Sequence, residues 1–161
     1  MLKKALLLLT LVLSIISCKN KETEPTEISQ EEITFTQDGK LQIIKENQEK
    51  VFFNIEVAET EYETETGLMY RESMAQNRAM LFIFEDERPH NFYMKNTYIP
   101  LDLFFITKDK TIATIIENAK PMDETSLPSE VPVMYVLETN AGIAELWDIK
   151  EGDKVDWKLM R

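Results

Sequence analysis

Residues 91–106 read NFYMKNTYIPLDLFFI, and the fold turns on how this stretch divides. Two apolar, strand-forming runs, 92–94 and 101–106, enclose a polar hinge of Lys95, Asn96 and Thr97. Tyr98, Ile99 and Pro100 lead from the hinge to Asp102. Aromatic and β-branched residues suit a pleated, half-buried surface, whereas the Asn-Thr pair and Pro100 interrupt it. A lysine, an amide, a hydroxyl and a carboxylate are thus gathered where the chain turns between two core strands. Such turns are where a rigid scaffold presents a small polar site.

Toward the N-terminus, MLFIF (80–84) is a short continuous apolar run, the pattern of a buried strand, and 85–89 reads as a charged turn after it. Residues 70–79 are polar and read as a loop. Thr60 opens the clearest helix: Thr60 and Glu63 have capping-box spacing, Glu61, Glu63 and Glu65 suit the positive end of the helix dipole, and Gly67 closes the helix. Those acids lack a histidine or further ligands at metal-binding spacing, so they read as a solvated helix start. VFFNIEV (51–57) alternates as a half-buried strand apart from Phe52. A strand at 33–36, a turn at Asp38-Gly39 and a strand at 41–45 complete this side as an expected hairpin.

Toward the C-terminus, 107–110 is a turn and TIATIIE (111–117) a strand. Pro121, Pro128 and Pro132 make 120–132 an extended loop. VMYVL (133–137) is another continuous apolar run; Asn140 caps an expected short helix over 141–147; and 155–159 alternates cleanly. About nine short strands and two short helices predict a mainly β fold, a compact antiparallel β-sandwich or barrel-like domain occupying 33–161.

The two ends differ in kind. Lys3 and Lys4 precede an apolar run over 5–16 that is too short for a comfortable membrane span and has the shape of a secretory signal. It ends at Ile15-Ile16-Ser17-Cys18, which resembles the lipobox of bacterial lipoproteins. That resemblance implies a signal peptide over 1–17, cleavage before Cys18, and acyl chains on Cys18 that attach the protein to a membrane. Residues 18–32 are polar, with one proline and one apolar residue after the cysteine, and read as a flexible tether. Lysine directly after Cys18 resembles outer-membrane sorting rather than inner-membrane retention, so the expectation is an exported, membrane-anchored protein, in the outer membrane in preference to the inner. Cys18 is the single cysteine, so its lipidation leaves no thiol for a disulfide, redox chemistry or a cysteine metal site. The formal charge is −11, and −13 once Lys3 and Lys4 are removed with a segment that contains no acid. So acidic a body argues against a nucleic-acid partner and against adsorption to anionic lipid.

Several segments together carry a family resemblance: GLMYRESM (67–74), MLFIF (80–84), FYMKNTYIPLDLFFI (92–106), ENAKP (117–121), YVLETNAGIAE (135–145) and IKEGDKV (149–155). In order and spacing they resemble the domain-of-unknown-function family 192 (DUF 192) over about 51–155. The resemblance implies a compact, mainly β domain, often exported, with no established activity. Its hallmark residues fall on Gly67, Leu68, Met69, Arg71, Met94, Lys95, Asn96, Thr97, Pro100, Leu101, Asp102, Asn140, Ala141 and Gly142. Tyr93 departs from it, since tryptophan often stands at that position.

Ligand-binding candidates are therefore Lys95, Asn96, Thr97, Asp102, Asn140 and Arg71. Lys95 with Asp102 admits three readings: an ion pair that fixes the turn, an anion clamp, or an acid–base pair. Asn140 beside Ala141-Gly142 is either a plain helix cap or part of a polar ligand site. His90, the single histidine, follows Pro89 and reads as a solvent-exposed turn residue, and the dispersed methionines read as core fill. No cofactor loop, metal set or nucleophile motif emerges. The leading expectation is a lipid-anchored envelope protein whose domain is a non-catalytic binding or accessory module, with an envelope glycan or protein as partner. The alternatives are a small envelope hydrolase or lyase acting on glycans, and a purely structural or interaction domain.

Overall fold

The computed structural model describes residues 33–160. The expected signal segment, Cys18 and the expected tether lie outside the described residues.

Nine strands and two short helices follow in order: β1 (Gly39–Ile44), β2 (Lys50–Ala58), α1 (Glu61–Thr66), β3 (Arg78–Arg88), β4 (Asn91–Phe92), β5 (Leu101–Ile106), β6 (Ile112–Ala119), β7 (Leu127–Pro128), β8 (Val133–Asn140), α2 (Ile143–Trp147) and β9 (Lys154–Leu159). Seven form one sheet in the order β6-β5-β8-β3-β2-β1-β9, and β4 pairs with β7 apart from it. All neighbours are antiparallel except β2 and β3, which run parallel and are joined through α1. Parallel neighbours require such a crossover, and α1 supplies it. The two sheet edges meet at one end through a bridge between Thr111 and Lys154, reinforced by Ile112 N–H to the Asp153 carbonyl at 2.9 Å and Val155 N–H to the Lys110 carbonyl at 2.9 Å. The sheet is therefore a curled half-barrel, within the expected fold class.

A curled sheet has two faces to cover, and alternation along β5 shows how both are filled. Its six residues are all buried. Phe104 and Ile106 join Leu41, Ile43, Ile55, Leu81 and Leu137 inside the curl, where Ile143 and Ala144 of α2 pack onto them. Leu101, Leu103 and Phe105 face the other way, with Phe82 and Val136, beneath Leu68, Met94 and Ile99 from the connecting segments. A continuous apolar run is thus what a strand covered on both faces needs.

Asp102 is the exception in that run. It is 0 % exposed, and its two oxygens accept from Asn118 N–H of β6 at 2.9 Å and Ala144 N–H of α2 at 2.9 Å. One side chain on β5 therefore ties the edge strand and the helix that closes the curl.

Several boundaries differ from expectation, each for a tertiary reason. Residues 33–36 are not a strand, and Asp38-Gly39 is not a hairpin turn. Asp38 instead accepts from Val57 N–H at 3.0 Å, and Gly39 begins β1 where an added Cβ would stand 2.8 Å from the Lys158 carbonyl oxygen. Glycine serves close approach between strands there, rather than a bend. Residues 85–88 continue β3, and 127–128 in the proline loop pair with β4. β8 runs on through Asn140, so α2 starts after Gly142 (φ +83°) without a side-chain cap from its own end. The Thr60–Glu63 capping box and the Gly67 C-cap stand as expected.

Replacing Asp102 with alanine strands two backbone N–H groups, one of them fully buried. A loss of about 3 kcal/mol is expected in chemical denaturation, against less than about 0.5 kcal/mol for the exposed Lys95→Met. Equal losses at the two positions would contradict this account.

Candidate functional site

The 93–100 hinge keeps its shape through backbone bonds. Met94 and Ile99 are buried anchors on either side of it. Between them, Thr97 N–H donates to the Met94 carbonyl at 3.1 Å, and Thr97 Oγ1 donates to the Lys95 carbonyl at 3.2 Å. Asn96 has φ +54°, a conformation asparagine tolerates better than most residues. Its carbonyl accepts from Tyr70 N–H at 2.8 Å, and its Nδ2 donates to the Tyr70 hydroxyl at 2.8 Å. The hinge is thereby lashed to the segment that follows α1.

The expected rim does not assemble as one cluster. Lys95 is exposed and forms no ion pair with Asp102, whose oxygens are both held by backbone N–H groups. Asn140 turns its Nδ2 to the Met74 and Ala75 carbonyls at 2.9 and 3.3 Å, so it fastens the loop before β3 and does not cap α2. Arg71 pairs with Glu56 at 2.5 Å and borders a separate hollow with Phe35, Met74 and Arg78. Of the six candidates, Thr97 alone lines the cleft described next.

That cleft, about 320 Å³, opens between residues 64–69 and the chain from 90 to 97. Phe82, Phe84, Phe92 and Tyr93 make its walls, with Glu138 among them. Glu138 stands on β8 between Met80 of β3 and Leu103 of β5, both of them apolar core residues. It is 5 % exposed, and none of the hydrogen bonds or ion pairs of the fold involves its carboxyl. Burial alone pushes that carboxyl up to about 8. Its neutral, protonated form is therefore favoured at neutral pH.

His90 is the second correction at this place. It is 7 % exposed and stacks on Phe84 with ring centroids 3.7 Å apart, not in a solvated turn. Its backbone N–H donates to Ser129 Oγ at 3.1 Å, while its Nε2 is buried without a partner. Burial, and next the Arg88 charge, hold the imidazole below its ordinary range, so it is neutral at pH 7. The cleft thus combines aromatic surface, a neutral imidazole and a desolvated acid.

A larger hollow of about 740 Å³ lies between residues 44–48 and 148–154. Its lysines are paired: Lys45 with Glu49, Lys150 with Asp148, and Lys154 with Asp109. Among the described residues no group of three or more acids, histidines or cysteines is placed to hold a metal ion.

Glu138 was not among the sequence candidates. The available signal was an acid in VMYVLETN, a run otherwise long enough and apolar enough for a doubly covered strand. Its meaning depends on which residues flank it across the sheet, and a single strand does not show that.

The comparisons agree with this architecture. The chain belongs to the DUF192 family, described as an uncharacterized ACR, whose model matches residues 42–157. It is similar in structure to a Sinorhizobium meliloti protein provisionally named a transcription regulator, with 40% identity, TM-score 0.75, and coverage of 78% of this chain and 97% of that one. It is also similar to a protein of unknown function from Novosphingobium aromaticivorans, with 37% identity, TM-score 0.71, and coverage of 73% and 84%. No curated protein matches the chain significantly.

The Glu138 acid makes stability depend on pH. Its folded-state value lies above its ordinary value of 4.5, so between about 4.5 and 8 the folded state binds the extra proton. Its contribution is therefore complete below that window and declines as pH rises, by up to about 1.4 kcal/mol per unit, levelling above 8. Chemical denaturation from pH 5 to 8 is expected to show this decline, and Glu138→Gln to flatten it. A slope unchanged in the variant would refute the assignment.

Proposed function

We propose that this chain is a lipid-anchored cell-envelope protein whose β domain is a non-catalytic binding module, with its ligand site in the cleft beside Thr97. The observation that carries the reading is the Glu138 carboxyl, which lines the cleft at 5 % exposure and has no hydrogen-bond or ion-pair partner among the described residues. A buried polar group without a partner lowers stability, so its place on a cleft of ligand size favours a partner from outside the fold. The aromatic walls offer the apolar surface that such sites commonly use.

A glycan hydrolase or lyase built on Lys95 and Asp102 has less support. Its acid is enclosed by two backbone N–H groups, and its lysine is exposed elsewhere. A DNA-bound role, which the name of the Sinorhizobium relative invites, meets a formal charge of −11, the wrong sign for phosphate contacts. The envelope part of the proposal rests on Lys3, Lys4, the apolar run to Ile16, and Cys18 where a lipobox requires it. In this reading acyl chains on Cys18 attach the chain to the outer membrane, and the ligand is one found in the envelope.

Two measurements test the two halves. Metabolic labelling with a palmitate analogue is expected to mark the wild-type chain and not Cys18→Ser; a labelled serine variant would end the anchoring claim. For the cleft, a fragment screen by NMR on the full-length chain should concentrate its hits at the Gly67, Tyr93 and Thr97 amides. Thr66→Trp, which fills the cleft, should abolish them. Hits that survive this variant, or a screen with no cleft hits, would remove the binding reading.

A further inference from the structure

We propose that the cleft receives a small organic ammonium ion, with Glu138 as its counter-charge and the aromatic walls as its cage. This rests on the binding reading above and gives that site a ligand class. The first observation is the sign of the lining. Glu65 and Glu138 are its carboxylic acids, and no lysine or arginine borders it. An anionic ligand would find no cationic counter-charge among the described residues of the lining. The second is Glu138 itself, 5 % exposed, reaching the cleft with no donor from the protein. The third is the surface around it. Phe82, Phe84, Phe92 and Tyr93 border the same space, and ring faces attract a cation most strongly when it is desolvated. A volume of about 320 Å³ leaves room for an organic ammonium ion, and the formal charge of −11 favours the approach of a cation.

Proton bookkeeping gives this ligand class a signature. Below about 8, the Glu138 carboxyl must release its proton to face a cation. Each bound ammonium ion thus expels one proton, and affinity should rise about tenfold per pH unit from 6 to 7 before levelling above 8. The other titratable groups on the cleft are Glu65, exposed on α1; Tyr93; and His90, whose imidazole burial holds below its ordinary range. Arg88 and Asp86 act on His90 from β3 with opposite signs. A pH dependence that disappears in Glu138→Gln identifies that carboxyl as its source.

The test is an NMR titration of the full-length chain in a non-ionic detergent with n-butylammonium and tetramethylammonium, against 1-butanol and tert-butanol as neutral controls. Saturable shifts at Gly67 and Thr97 are expected for the ammonium ions, with the alcohols at least about tenfold weaker. Glu138→Gln should lose about tenfold or more in ammonium affinity while melting no lower than wild type, and the exposed Glu65→Gln should lose only about twofold. Alcohols that bind as well as the ammonium ions, or a Glu138→Gln variant that binds them unchanged, would overturn the ligand class while leaving a binding cleft. No saturable shift from either ammonium ion at pH 8 would also overturn it. The fragment screen with Thr66→Trp then decides the broader reading separately.

Discussion

The fold depends on one carboxylate that never reaches water. Asp102 lies in β5, the strand whose every residue is buried, at a position where an apolar side chain would be the usual choice. A carboxylate there is tolerable only when both oxygens are satisfied, and each takes one backbone N–H, from Asn118 and Ala144. The two donors belong to the edge strand β6 and the short helix α2. A short helix of this kind has little stability of its own and forms because it is packed and capped. Asp102 supplies the cap from a different element, which is why Gly142 can sit at the N-terminus in the left-handed region with no capping side chain. Curl, helix and edge are thus consequences of one buried acid placed opposite two amides.

The same interaction explains which parts of the fold were legible in the sequence. Local signals held where the partner is local. The Thr60–Glu63 capping box and the strand over 101–106 act within a few residues and appear as read, whereas the alternation over 51–57 holds only to Ile55, since Glu56 is buried and Val57 half-buried. Signals failed where the partner comes from far along the chain. Asp38-Gly39 has the composition of a tight turn, yet Asp38 bonds Val57 and Gly39 is pressed against Lys158. Asn140 stands where an N-cap belongs, yet its amide is taken by Met74 and Ala75. Polar residues beside Lys95 suggested one rim because they are close in sequence. The sheet instead sends Asp102 into the curl, Asn140 to the loop before β3, and Thr97 to the cleft. Family resemblance marked these residues together without distinguishing which of them hold the fold. His90 could not be read at all without Phe84, six residues earlier, lying against its ring.

A comparison internal to the sheet gives the cleft acid its significance. Glu56 of β2 and Glu138 of β8 flank Met80 of β3 in one row, on the same face. They are similarly buried, at 7 % and 5 % exposure. Glu56 has partners: Arg71 at 2.5 Å and Thr36 N–H at 2.7 Å. Glu138 has none, and burial alone acts on its titration. Sequence and fold therefore had the means to neutralise a buried acid in this row, since one strand away they did so with an arginine. The difference lies in what covers each position. Over Glu56 lies the 71–78 loop, which brings the arginine; over Glu138 lies the open cleft between α1 and the hinge. Glu138, between Met80 and Leu103 in this row, is thus an acid that no described residue pairs, at the position that borders the cleft, and that contrast with Glu56 is what the proposed ligand site rests on.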